Sequence, residues 1–178
     1  MRAAFWILVL VMMATAATHL LRHHPPVPPI GTPVLPSDIG SIRARQIAPL
    51  TADLAQHDLN FGAALYIRIF KEERQLETWV ANNAGTYSLF RSYPICNFSG
   101  ALGPKLREGD HQSPEGFYSV AKSALNPNSA YHLSFNLGFP NRFDRDQGRT
   151  GSFLMVHGDC VSVGCYAMTD PAIEEIYV

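Results

Sequence analysis

In residues 157–170 the chain gathers two thiols, Cys160 and Cys165, an imidazole at His157, a hydroxyl at Ser162 and two glycines, Gly158 and Gly164. A thiol attacks only as thiolate, and with an ordinary pKa of about 8.5 it needs a neighbouring base or cation to ionise at neutral pH. His157 supplies a base. Gly164 directly precedes Cys165, and a glycine there lets a substrate approach the backbone and leaves N–H groups to face a developing oxyanion. These features nominate Cys165 as nucleophile, His157 as its base and Gly164 as part of the same apparatus. Ser162 would either orient His157 or satisfy a turn. The plainer alternative is that Cys165 is a small core residue of an apolar strand over 161–168, since cysteine is among the most buried residue types. Metal ligation by His157, Cys160 and Cys165 is a third alternative. It lacks a fourth ligand and the paired Cys-x2-Cys spacing of structural zinc sites, so no metal and no cofactor is expected.

Strand patterns dominate the segment that must position these groups. Residues 64–70 are rich in aromatic and β-branched side chains, 71–74 form a polar turn, and 76–80 alternate apolar with polar, which reads as a hairpin. A turn over 82–85 leads to a strand over 87–93, and further strands are expected over 117–121, 131–137 and 152–157. Residues 94–116 lack periodicity and form a loop able to border a site. His57, His111 and His132 are expected to be surface or structural. Residues 140–151 form a polar loop whose arginines, Arg149 above all, could hold a carboxylate; a solvated loop is the alternative. Apolar spacing at Leu50, Leu54 and Ala55 predicts a short helix before the domain. At the end, Asp170 as N-cap, then Pro171, Glu174 and Glu175, predict a helix N-terminus, with a helix too brief to stand unless it packs on the sheet.

With 178 residues, 47% apolar and 16% charged, the chain can build one domain with a core. A net charge of -1 lacks the basic footprint of nucleic-acid binding, so no nucleic-acid partner is expected. Residues 1–21 carry Arg2, an apolar run and Ala14-Thr15-Ala16, the pattern of a secretory signal peptide or, uncleaved, a membrane anchor. Residues 22–49 begin with a proline-dense stretch and read as a stiff linker, leaving 50–178 as the domain. The expected location is therefore the periplasm or cell envelope, with membrane contact only through the N-terminal segment. In an oxidising compartment three cysteines suit one nucleophile and one disulfide, which we assign to Cys96 and Cys160; the alternative leaves both free.

The run His157-Gly158 … Ser162-x-Gly164-Cys165 resembles the signature of the L,D-transpeptidase catalytic domain, the YkuD family, and its YafK-like branch in particular. Similar to that branch are Ile67-Arg-Ile-Phe-Lys-Glu, the stretch from Tyr93 through Lys105, Ser113-Pro-Glu-Gly-Phe-Tyr-Ser, Tyr131-His-Leu-Ser-Phe-Asn and residues 144–151. The His of the family's Ser-His-Gly-Cys is Val163 here, and the spacing from His157 to the cysteine is about half the family's; the branch resembles this chain in both. The resemblance implies a mostly-β fold with short helices (α+β), of the β-sandwich or barrel type. It implies acyl transfer on peptidoglycan peptide stems through a thioester at Cys165, with Gly158 and Arg149 near the substrate. It also implies, as an alternative, hydrolysis of the link between diaminopimelate and a wall-attached lipoprotein. The resembling proteins continue the final helix, so a shortened C-terminus is expected. A catalytically silent peptidoglycan-binding module is the alternative from another class.

Overall fold

The computed structural model describes residues 37–178; the expected signal or anchor segment and the proline run through Pro36 lie outside the described residues. Helix α1 (Ile39–Gln56) comes first, then β1 (Leu65–Phe70), β2 (Gln75–Ala81) and β3 (Tyr87–Pro94), an antiparallel sheet in that order. The hairpin follows from sequence: β2 buries Leu76, Thr78 and Val80 on one face, the period-two signature of a half-buried strand. The turn into β3 is closed by Asn82, whose Oδ1 accepts from the N–H groups of Ala84 and Thr86, each at 3.0 Å.

A five-stranded sheet follows, built from β4 (Asn97–Phe98), β5 (Leu125–Ser129), β6 (His132–Asn136), β7 (Met155–His157) and β8 (Tyr166–Ala167). Its order is β4-β8-β7-β6-β5, and β7 and β8 run parallel while the other pairs are antiparallel. One core joins the sheets. Leu76 and Tyr93 from the first meet Leu133, Phe135, Val156 and Tyr166 from the second, together with Ile42 of α1. The short α2 (Arg142–Asp146) lies between β6 and β7, and α3 (Asp170–Tyr177) adds Ile173 and Ile176 to the core. The fold is α+β, as the resemblance implies. Packing is what lets so short a helix as α3 stand, since isolated helices of this length are marginal in water.

Several elements differ from expectation. α1 starts at Ile39, inside the stretch assigned to the linker, because Asp38 caps it by accepting from Gly40 N (3.0 Å) and Ser41 N (3.3 Å). Pro49 sits within the helix, where its missing N–H costs one backbone bond. Residues 117–121 join no ladder, and of 152–157 only the last three enter the sheet. The N-cap of α3 is Thr169, not Asp170; the Asp170 carboxylate instead accepts from Asp159 N at 2.8 Å. Lys71, the first residue of the expected polar turn, is only 6% exposed. Its ammonium donates to the carbonyls of Ala101 (3.3 Å) and Gly103 (2.9 Å) and pairs with Glu115, so it clamps the 101–115 loop to the hairpin.

Glu174 ties α3 to its neighbours. Its buried carboxylate meets the Arg45 guanidinium, Gln46 Nε2 at 3.3 Å and His132 Nε2 at 2.8 Å, while Ser37 Oγ lies 2.9 Å from His132 Nδ1. Burial pushes the Glu174 carboxyl up, but the hydrogen bonds from Arg45, His132 and Gln46 outweigh it and hold the group below its ordinary 4.5. A depressed folded pKa means stability that is present above the unfolded value and lost as pH falls through the folded one. Glu174→Gln is therefore expected to lower the melting temperature at pH 7 by an amount equivalent to about 1–3 kcal/mol. In melts run from pH 7 down to 3, the gap from wild type should narrow below pH 4.5.

Candidate active site

Parallel pairing of β7 with β8 sets Val156 opposite Tyr166 and His157 opposite Ala167. Cys165 sits in the bend that directly precedes β8, so His157 and Cys165 stand at the two ends of the connection between the paired strands. His157 is 3% exposed, and its Nδ1 lies 2.7 Å from the Gly158 carbonyl oxygen. A carbonyl only accepts, so Nδ1 carries the hydrogen and Nε2 keeps a lone pair. The ring is further held by Tyr131, whose centroid is 4.8 Å away. Burial pushes the imidazole pKa below 6.5 against the pull of the Gly158 carbonyl and Asp159.

Cys165 is a free, half-buried thiol whose Sγ donates to the Phe153 carbonyl at 3.7 Å. Burial raises its pKa, opposed by the Met155 backbone and the Lys105 ammonium. Both shifts favour uncharged forms, so thiol and imidazole both rest neutral. Among the described residues each group bonds to a backbone carbonyl rather than to the other. General-base contacts of this kind commonly tighten only when substrate is bound.

The loop between them is tightly determined. A disulfide joins Cys160 to Cys96 with their Cα atoms 5.2 Å apart, and Asp159 and Cys160 are both left-handed, at φ +66° and +52°. With Cys160 so engaged, the metal-ligand reading loses a thiolate. Ser162 Oγ accepts from Cys165 N at 3.1 Å and donates to Cys165 O at 2.7 Å, so it closes a turn and does not orient His157. Gly164, at φ +97°, occupies backbone space that side-chain-bearing residues rarely reach, and its N–H donates to Ser99 Oγ. The two N–H groups expected to stand open to an oxyanion are thus both bound by serine hydroxyls.

Two expected substrate contacts face protein instead. A Cβ on Gly158 would come within 2.6 Å of Asp170 Oδ1 and 3.0 Å of His132 Cβ, so its smallness serves packing while its carbonyl anchors His157. Arg149 Nη1 pairs with Asp144 Oδ1 at 2.8 Å, and the Asp144 side chain is 1% exposed. A buried carboxylate needs a counter-charge, and this one takes Arg149 together with Tyr118 OH (3.1 Å) and Asn141 N (3.1 Å).

The 94–116 loop contributes more than its irregular sequence suggested. Ser113, fully buried, donates to the Cys165 carbonyl at 2.9 Å, and Tyr166 OH donates to Pro114 O at 2.6 Å. Lys105 is 3% exposed and is held by the Asp110 carboxylate and by Arg107 O at 2.9 Å. Polar residues at non-periodic positions were the one sequence signal for these roles. A separate cleft of about 100 Å³, lined by Leu50, Leu54, Phe61, Val80 and Phe90 among others, includes none of the groups around the thiol.

Alkylation of Cys165 by iodoacetamide should have its half-maximal rate at a pH above the ordinary thiol value, since burial dominates. Lys105→Met should move that midpoint up by removing the cation, and Asp110→Asn should move it down by unmasking the cation. A purely structural Lys105–Asp110 pair would shift both variants in the same direction.

Residues 64–178 match the L,D-transpeptidase catalytic domain, YkuD. Over 116 residues, 65% of this chain, the sequence is 55% identical to YafK of Escherichia coli K12 and of O157:H7, whose assignment as an L,D-transpeptidase is itself provisional. The match covers 47% of YafK, so the chain spans about half the length of those curated relatives. The fold is similar to crystal structures of the helical cell shape determining protein Pgp2 of Campylobacter jejuni. The TM-score is 0.53 at 23% identity, covering 72% of this chain and 50% of that one. A lysine-to-alanine variant of Pgp2 gives 0.52 at 24% identity, covering 70% and 48%. On the match over residues 64–178 and the 55% identity to YafK, the chain belongs to the YkuD family of L,D-transpeptidase catalytic domains.

Proposed function

We propose that the chain is a cysteine acyltransferase that acts on peptidoglycan peptide stems in the cell envelope. The observation that carries this reading is the division of labour among the thiols: Cys96 and Cys160 are joined, while Cys165 stays free and His157, at the other end of the same short connection, keeps an unprotonated Nε2. The disulfide and the apolar N-terminal segment support an exported, oxidising location, the periplasm.

In the reaction, the Cys165 proton passes to His157 Nε2 as sulfur bonds to the carbonyl carbon next to the L-centre of a diaminopimelate residue. Collapse of the tetrahedral adduct breaks the C–N bond, and the departing amine takes the proton from the imidazolium. An acceptor amine then attacks the thioester, giving a cross-link and restoring the thiol. Burial of His157 keeps it neutral and able to accept that proton.

The test is to incubate the full chain with purified peptidoglycan carrying attached lipoprotein and to read the products by mass spectrometry. New diaminopimelate-to-diaminopimelate cross-links, lost in Cys165→Ala, are the expected result. Lipoprotein released by wild type but not by the variant would assign hydrolysis instead. Identical products from both proteins would refute a catalytic Cys165. His157→Ala should reduce turnover about 10²–10⁴-fold. The acid limb of kcat/KM should fall below pH 6.5, because the base is lost only when pH drops through its depressed pKa.

A further inference from the structure

Addition of a thiolate to a carbonyl places an electron pair on oxygen, and the adduct needs donors aimed at that oxygen. The backbone N–H groups of Cys165 and of the residue before it are already spent, Cys165 N on Ser162 Oγ at 3.1 Å and Gly164 N on Ser99 Oγ. The hydroxyls that receive them differ in what they do with their own hydrogen. Ser162 gives its hydrogen to Cys165 O at 2.7 Å. Among the described residues, none accepts the hydrogen of Ser99. A hydroxyl that already accepts a bond is polarised into a stronger donor.

Ser99 is also held firmly beside the thiol's own peptide. Its N–H donates to Ser113 Oγ at 3.3 Å, its carbonyl accepts from Ser113 N at 3.0 Å, and Ser113 Oγ donates onward to Cys165 O at 2.9 Å. The adjoining Gly100 admits no side chain, since a Cβ there would lie 1.9 Å from Gln112 Oε1. Gln112 in turn donates from Nε2 to the carbonyls of Ala101 (2.6 Å) and Gly103 (2.7 Å), which fixes the loop on the far side of Ser99.

We propose that the Ser99 hydroxyl is the oxyanion donor for acyl transfer at Cys165, charged for that role by the Gly164 N–H behind it. The proposal rests on Cys165 being the nucleophile. In the step, the thiol proton moves to His157 Nε2, the S–C bond forms and the carbonyl π pair moves onto oxygen. Ser99 donates a hydrogen bond to that oxygen and keeps its proton. Collapse restores the C=O bond and expels the leaving group. The arrangement also explains a serine at position 99: alanine would leave the Gly164 N–H without an acceptor and the oxyanion without a donor.

The test compares two reactions of the same thiol in the full chain. With p-nitrophenyl acetate, Cys165 passes through an oxyanion to an acetyl thioester and releases p-nitrophenolate. With iodoacetamide, the thiolate displaces iodide from a saturated carbon and no oxyanion forms. Ser99→Ala should slow acetylation about 10²-fold while alkylation stays within about twofold, and Ser99→Thr should recover most of the lost rate. Equal acetylation of wild type and Ser99→Ala overturns the proposal. So does a parallel fall in both reactions, which would make Ser99 merely structural, and so does wild type that is alkylated but never acetylated at Cys165. Neither probe contains peptidoglycan. Ser99-dependent acetylation without turnover of peptide stems would sink the substrate assignment and leave the donor in place.

Discussion

The parallel pairing of β7 with β8 is the constraint from which the candidate site follows. Parallel neighbours are ordinarily joined by a crossover of roughly a dozen or more residues, yet here residues 158–165 make the whole return. So short a path forces unusual backbone. Asp159, Cys160 and Gly164 all take positive φ, and the loop is pinned by the Cys96 disulfide, by the Asp170 carboxylate on Asp159 N and by the Ser162 turn. Met168 N donates to His157 O at 2.7 Å, locking the two strands beyond the loop. Left-handed non-glycine residues cost free energy and persist where surrounding structure over-determines them, commonly at functional sites. The outcome is an imidazole that closes β7 and a thiol that directly precedes β8, their backbone positions set by one short, pinned connection.

Electrostatics then sets how the pair works. Burial pushes the thiol up and the imidazole down, so both groups rest uncharged. Storing an ion pair would require desolvating both charges. The buried Lys105 tempers the cost on the thiol side, and Asp110 in turn tempers Lys105. Asp110 itself sits well below the usual carboxylate range, because hydrogen bonds from Arg107 N, Lys105, Leu106 N and Gln112 N outweigh its burial. The 94–116 loop therefore acts as an electrostatic and hydrogen-bonding scaffold behind Cys165, clamped from the hairpin by Lys71.

What could be read from sequence was the chemistry carried by residue type and the elements carried by period. Cys165 and His157 stand out because only a few side chains can be nucleophile and base, and the β1–β2 hairpin stands out because Leu76, Thr78 and Val80 alternate. Long-range partnership was illegible. Arg149 looks like a ligand for an external carboxylate until the burial of Asp144 is known, and Gly158 looks like a substrate approach until Asp170 and His132 are seen against it. Residues 117–121 have strand composition, but a ladder needs a partner edge and none pairs with them. Ser99 carries no local signal, because its meaning comes from Gly164, far along the chain. The start of α1 was missed for a different reason: Pro49 argues locally for a helix start, whereas burial of Ile42 in the core carries the helix through it.

The most direct measurement is intact-protein mass spectrometry of the chain, acid-quenched during reaction with a soluble tetrapeptide stem from peptidoglycan. The account predicts a covalent acyl adduct on wild type that maps to the peptide containing Cys165, is released by hydroxylamine and is absent from Cys165→Ala. Stem turnover that proceeds at the same rate in Cys165→Ala, or an adduct that maps elsewhere, would contradict it.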